Sequence, residues 1–195
     1  MEPIRRRQLI DATVAAIHEH GFADTTVSRI SALAGVSSGI VHHYFGGKDD
    51  LLEATLRAIA AELRRDTTDR LARASSPRER IDAVIDSNLD PERFTPTAVS
   101  AWLAFWSQVP TSARLARIQR IIMRRVHSNL VHALRQMQVP SERADRIAMG
   151  LGILLDGLWL RAAFEESGPD PKSALALVRD YLDSHLRELR HEEPA

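Results

Sequence analysis

The chain has 195 residues, 44% hydrophobic, 27% charged and 5% aromatic, a composition that excludes disordered and fibrous classes. It has no cysteine, which removes disulfide scaffolds, thiolate zinc sites, iron–sulfur clusters and cysteine nucleophiles. Its 26 Lys+Arg balance 26 Asp+Glu, and only Lys48 and Lys172 are lysines, so bulk charge by itself points to neither nucleic acid nor an anionic membrane. The opening residues Met1 to Arg7 lack the apolar region of a signal peptide. The longest apolar run, Ile147 to Leu155, stops at Asp156, well short of the about 20 residues that span a bilayer. The expected location is the cytoplasm, with no membrane partner.

Helical periodicity runs through the chain, and no segment alternates long enough to make a strand. The expected fold is all α, with about nine helices. Pro77, Pro91, Pro96, Pro110, Pro140, Pro169 and Pro171 all fall between periodic stretches. Ser76-Pro77, Thr95-Pro96 and Asp170-Pro171 read as first-turn prolines behind a capping side chain, and Ser76 with Glu79 as a capping box.

In chain order, the pattern predicts a first helix over Arg5–His20, with Ile10, Val14 and Ile17 inward and Gly21 as its stop. A second follows over Thr26–Ala34, with Val27, Ile30 and Leu33 inward and Gly35 as its stop. A short third covers Ser38–Phe45, and Gly46-Gly47 breaks the chain before a fourth from Asp49 to Arg65. The polar residues Thr67 to Ser76 read as a linker. Further helices are expected over Arg78–Asn88, Pro96–Gln108, Ser112–Met137, Ser141–Glu166 and Pro171–Leu189. The arginines of the seventh, Arg114, Arg117, Arg120 and Arg124, read as a solvated face opposite a stripe of Leu115, Ile118, Ile122, Val126 and Leu130.

Thr26 to Phe45 has the organisation of a helix-turn-helix, whose second helix enters the major groove of double-stranded DNA. Gly35 supplies the left-handed backbone of a tight turn, Val36 plugs the angle between the helices, and Ser37 caps the third helix. Ile40, Val41 and Phe45 are left to pack that helix, while Ser38, Gly39, His42 and His43 suit close approach to base edges and phosphates. Tyr44, Lys48 and the Thr26 hydroxyl at a helix start are further phosphate ligands. Local charge adds little. Arg5, Arg6, Arg7, Arg29 and Lys48 face Glu2, Asp11, Glu19 and Asp24 across residues 1–48.

The turn Gly35-Val36-Ser37-Ser38-Gly39, the run His43-Tyr44-Phe45 and the segment Lys48-Asp49-Asp50-Leu51-Leu52 resemble the DNA-binding signature of the TetR family of repressors. Arg5 to Thr13, Leu52 to Thr55, Ala101-Trp102-Leu103-Ala104-Phe105-Trp106 and Asp156-Gly157-Leu158-Trp159-Leu160-Arg161 are similar to the choline-responsive branch of that family. The resemblance implies a homodimeric, non-enzymatic repressor of choline uptake and choline-to-glycine-betaine genes, with a DNA-binding domain over 1–48 and a ligand-binding and dimerisation domain over 49–195. It implies an operator DNA partner and a small cationic effector such as choline, with no cofactor or metal. His42 stands where the family often has an aromatic residue. Ser87-Asn88-Leu89-Asp90 stands where its relatives have Gly-Asn-Phe-Asp, one ring fewer.

All three tryptophans lie in the two C-terminal motifs. Trp102, Phe105 and Trp106 share one face of a helix, and Asp156 and Trp159 share one of another. If those faces meet, aromatic rings and a carboxylate surround one space, the chemistry that holds a quaternary ammonium. An aromatic stripe at this spacing is equally the signature of a core, and Asp156 equally a structural ion pair with Arg161 or another arginine. A polyamine or cationic drug would suit the same residues, and a helical interaction module that never touches DNA remains open to the pattern alone. Catalysis lacks its motifs: Gly46-Gly47-Lys48 is no P-loop, His18-Glu19-His20 has the wrong zinc spacing, and His127 and His132 are poorly spaced for a shared metal. Leu151, Leu155 and Leu158, with Leu175, Val178, Leu182 and Leu186, offer stripes for a dimer contact, and Gly150, Gly152 and Gly157 permit close helix approach.

Overall fold

The computed structural model describes residues 2–166, 168 and 170–192, the last four by their backbone only. Met1 and Pro169, both used in reading the sequence, lie outside them. Among the described residues there are nine helices and no strand. They are α1 (Glu2–Asp24), α2 (Val27–Leu33), α3 (Ser38–Phe45), α4 (Lys48–Arg73), α5 (Pro77–Asn88), α6 (Pro96–Gln108), α7 (Ala113–Gln136), α8 (Ser141–Ala162) and α9 (Pro171–Glu192).

The helix signals act as their chemistry dictates. Gly21 breaks α1 with φ 73° and ψ 168°, so the helical run ends in substance where the sequence stops it. Ser76 accepts the Glu79 amide at 3.2 Å behind Pro77. The Glu79 carboxylate reaches back to the amide and hydroxyl of Ser75, each at 2.7 Å, one residue earlier than a capping box on Ser76 requires. Asp170 accepts from the amides of Lys172 and Ser173 at the start of α9.

Helix α4 corrects the expected linker. It continues through Thr67 and Thr68 to Arg73, and both threonine hydroxyls are satisfied inside the helix by carbonyls one turn earlier, Leu63 and Arg64. Polarity there marks a partly solvated face, not a break. At the other extreme, α8 ends at Ala162, four residues before the expected stop, with Ala163 and Phe164 in a turn.

Packing groups the chain into two compact units. The first comprises residues 1–62 and 96–119, built on α1 against α2 and α6, with α3 packed on α2. Its core holds Leu9, Ala12, Ala16, Ile30, Val41, Phe45 and Leu51, with Val27, Val36, Ile40 and Tyr44 packed on it. Ile17 is buried as expected, whereas Leu33, the last residue of α2, is 44% exposed. The second unit comprises residues 63–95 and 120–195, built on α8 against α9 and on α5 against α9.

The α8–α9 contact uses the residues that the sequence offered to a dimer. Leu151, Leu155, Val178, Leu182 and Leu186 are buried within one chain. Met149, Ile153 and Leu160 stand on the opposite face of α8, and Ile153 is 66% exposed. Only one of the three glycines serves close approach: a Cβ on Gly150 would lie 1.9 Å from the Tyr181 hydroxyl, while nothing lies within 4 Å of one on Gly152 or Gly157.

Candidate functional site

In the first unit, α2 and α3 are joined by hydrogen bonds that fix their angle. The Gly35 amide donates to Ala32 at 3.1 Å and the Val36 amide to Ser31 at 2.9 Å, with Gly35 at φ 65°. These are the two bonds of a Schellman motif, and the left-handed residue they require is the glycine. Thr26 is the N-cap of α2 and accepts the Arg29 amide at 3.2 Å. Ser37 holds the N-cap position of α3 with extended backbone but makes no capping hydrogen bond, which corrects the expected cap.

Helix α3 divides cleanly. Val41 and Phe45 are buried, Ile40 and Tyr44 half-buried, and Ser38, Gly39, His42 and His43 exposed on the other side. That exposed face carries no acid. A Cβ on Gly39 would meet only the Ser37 hydroxyl, at 3.8 Å, so packing inside the chain does not require the glycine. His42 Nδ1 lies 3.1 Å from the Gly46 carbonyl, and the His43 ring meets Tyr44 edge-on at 5.1 Å. Lys48 opens α4 with its ammonium 5.1 Å from the Phe22 ring centre.

The arginine triplet of α1 is an anchor that sequence reading leaves as a simple cluster. Arg6 donates to the Tyr44 carbonyl at 2.8 Å and lies over the Phe45 ring at 4.4 Å, clamping the end of α3 to α1. Arg7 pairs with Asp11 and Glu62, and those hydrogen bonds raise its pKa further. Arg114, read as a solvated arginine, pairs with Asp50 at 2.7 Å.

The aromatic residues of α6 lie along one side of the helix. Phe105 is fully buried, and the Trp102 and Trp106 rings lie 5.9 Å apart, tilted by 39°. The Trp106 indole nitrogen is buried without a hydrogen-bond partner, although the residue as a whole is half-buried.

In the second unit, Trp159 donates its indole N–H to the Asn88 carbonyl at 3.2 Å and meets Phe94 edge-on at 4.8 Å. Leu89, where the ring is missing, is fully buried in the core. Phe94 supplies the aromatic neighbour instead. Sequence reading misses it because Phe94 sits in an aperiodic loop between Pro91 and Pro96. The same loop is tied to α4: Arg70 pairs with Asp66 at 2.8 Å and with Asp90, and Arg93 pairs with Asp66 at 3.0 Å. Burial opposes the Asp66 charge, but the hydrogen bonds of Arg93 and Arg70 outweigh it and hold the carboxyl below its ordinary value.

Asp156 has no ion pair among the described residues. The expected partner Arg161 pairs with Glu165 at 3.0 Å, since i, i+4 residues share a helix face and i, i+5 residues do not. Asp156 keeps an exposed side chain yet is ringed closely enough by protein that burial raises its carboxyl above the usual range.

The comparisons with known proteins give the family. Residues 9–55 match the bacterial regulatory proteins of the tetR family, and residues 77–187 match the C-terminal region of BetI-type transcriptional repressors. The HTH-type transcriptional regulator BetI of Brucella anthropi is 46% identical over 186 residues, covering 95% of both chains. The regulator BetI 1 of Chromohalobacter salexigens is 44% identical over 195 residues, covering 100% of this chain and 96% of its own. Among solved structures, a transcriptional regulator from Pseudomonas aeruginosa superposes with a TM-score of 0.80 at 29% identity over 96% of this chain and 95% of its own. One from Saccharomonospora viridis, solved in complex with choline, superposes with a TM-score of 0.81 at 20% identity, over 91% of this chain and 95% of its own, and shows the shared fold. The chain is a DNA-binding transcriptional repressor, not an enzyme, and it belongs to the TetR family, in the BetI-type branch.

Proposed function

We propose that this repressor controls choline uptake and choline-to-glycine-betaine genes from the cytoplasm, and that choline or a related quaternary ammonium is its effector. The observation that carries the reading is Asp156, an unpaired carboxylate on the helix that also bears Trp159. A quaternary ammonium has no N–H to donate, so it is held by aromatic faces and a nearby charge. The candidates for the first are Trp102, Phe105 and Trp106 on α6 and Trp159 on α8, and the candidate for the second is Asp156 on α8. The likeness to BetI regulators and the choline-bound protein of the same fold support this assignment.

Residues 1–48 act as the DNA-binding domain and 49–195 as the ligand-binding and dimerisation domain. Ser38, Gly39, His42 and His43 face the bases, while Thr26, Ser37, Tyr44 and Lys48 hold phosphates. The protein works as a homodimer through the exposed face of α8, Met149, Ile153 and Leu160, with Leu177 of α9. Effector binding shifts a population of two states, by no more than its difference in affinity for them. The Trp159–Asn88 bond and the Asp90–Arg70 and Arg93–Asp66 pairs connect the ligand tryptophan to α4, the helix that begins at Lys48.

Intrinsic tryptophan fluorescence during a choline titration tests the reading, with glycine betaine, spermidine and NaCl as controls. Saturable quenching by choline that is lost in Asp156→Asn is the expected result. A response to spermidine alone would move the effector to the polyamines. No response to any cation would leave the DNA-binding repressor without an assigned effector.

A further inference from the structure

Helix α3 carries none of the side chains that most often read a major groove: it has no Arg, Lys, Asn, Gln, Asp or Glu. Base reading by this helix therefore falls to hydroxyl and imidazole groups. His42 is exposed, one turn on from Ser38 and Gly39, which are exposed as well. Its ring is held in place. His42 Nδ1 lies 3.1 Å from the Gly46 carbonyl, and the Gly46 amide donates to the His42 carbonyl at 2.9 Å, so the two residues are joined twice. Gly46 stands at φ 78°, the left-handed backbone that closes the helix end. A carbonyl oxygen can only accept, so the proton of the ring's bond is on Nδ1. In the neutral ring Nε2 is then an acceptor, and it takes part in no hydrogen bond or ion pair among the described residues. No such bond among the described residues fixes His43, whose ring meets Tyr44 edge-on.

We infer that His42 Nε2 is the specificity acceptor of α3, and that it reads an exocyclic amino group in the major groove, the N4 of cytosine or the N6 of adenine. This rests on the proposal that α3 turns His42 to the bases, and goes beyond it by naming the group that is read. Only these amino groups donate from a base edge in the major groove. Guanine O6 and N7 and thymine O4 accept, and would meet Nε2 lone pair against lone pair. An acidic side chain makes the same contact to cytosine, but it brings a negative charge among phosphates. A neutral imidazole accepts without that repulsion. The bond to Gly46 decides the outcome, because a ring with its proton on Nε2 would donate and read guanine or thymine instead.

Two measurements on the full chain test this at about pH 8, above the ordinary titration range of imidazole. Nitrogen NMR of the labelled protein should show the His42 ring, assigned by its loss in His42→Ala, with its proton on Nδ1. A proton on Nε2 overturns the assignment. Operators are then selected from a randomised duplex pool by wild type and by His42→Ala. The variant is expected to relax one base pair in each half-site and no other. Deleting the amino group of that pair, with 2-pyrimidinone for cytosine or purine for adenine, should weaken wild type roughly three- to tenfold per half-site, the size of one hydrogen bond. The same deletion should leave His42→Ala unchanged, and a 7-deazapurine in that pair, which lacks the N7 acceptor, should leave wild type unchanged. Equal loss in both proteins on amino deletion, no loss in either, or a loss in wild type with the 7-deazapurine alone overturns the acceptor while leaving α3 at the bases. Selection unchanged at every position in Ser38→Ala, His42→Ala and His43→Ala refutes the base-facing reading of α3 instead. Thermal melting of His42→Ala separates these results from a disturbed helix end, and the amino-free operators test wild type whatever the variant does.

Discussion

At the scale of single residues, two positions carry more than their size suggests. Gly39 lies on the exposed side of α3, with room around it for a methyl group. An alanine there is neutral or favours the helix by up to about 1 kcal/mol. Gly39→Ala is therefore expected to keep or raise the melting temperature while lowering operator affinity, as read by melting and gel shift on the same preparation. A loss of stability would place the requirement for glycine inside the fold instead. Asp156 gives a pH signature. Burial holds its carboxyl above the ordinary aspartate range, so protonation as pH falls through that raised value removes the charge proposed to hold a cation. The sign for folding is opposite: ionising Asp156 is less favourable in the folded chain, so stability falls as pH rises from the unfolded-state value through the raised one. Choline affinity should decline on acidification across that window, choline binding should release a proton there, and Asp156→Asn should show neither effect. Calorimetry in buffers of different ionisation enthalpy reads both.

At the scale of elements, the Schellman closure between α2 and α3 and the Arg6 clamp act together. The first sets the angle of the helix-turn-helix through backbone bonds, and the second ties the far end of α3 to α1. The α8–α9 pair depends on a different fit. Gly150 faces the Tyr181 phenol, and Tyr181 in turn meets the His185 ring edge-on at 4.6 Å. Overpacking costs about 1–3 kcal/mol, and alanine recovers about 1 kcal/mol of helix propensity, so Gly150→Ala should destabilise modestly by displacing Tyr181. Adding Tyr181→Phe should restore part of the loss, because the phenolic oxygen is the nearest atom. Chemical denaturation of the two single variants and the double one measures this coupling.

At the scale of the whole molecule, the exposed apolar face of α8 is the surface proposed to join two chains into a working repressor. Ile153→Glu places a charge among Met149 and Leu160, on the side away from the chain's own core. It should leave helix content unchanged, shift the protein to monomer in gel filtration, and sharply reduce operator affinity, since two recognition helices are needed to read a two-fold site. A dimer that survives this substitution would place the interface elsewhere. Operator affinity should also fall linearly in a double-logarithmic plot against salt, because phosphate contacts release counterions.

Much of this was legible in the residues. Local signals are written in short stretches of chain, so Gly21, Gly35, Ser76-Pro77 and Asp170-Pro171 mark helix ends where the structure has them. The composition of α3, apolar on one side and small or polar on the other, already separates its buried face from its exposed one. Tertiary structure decided what local pattern cannot. A leucine stripe is the same stripe whether it packs within one chain or between two, and only the α8–α9 contact assigns Leu151, Leu155, Val178 and Leu182 to the first. The identity of Trp159's neighbours, Phe94 and Asn88, depends on contacts between residues about seventy positions apart, which no periodicity encodes. The state of a polar atom was equally beyond the sequence: that Arg6 is spent on Tyr44, and that among the described residues Asp156 has no ion pair and the Trp106 N–H is buried unbonded, follow from distance and burial, which exist only once the chain has folded.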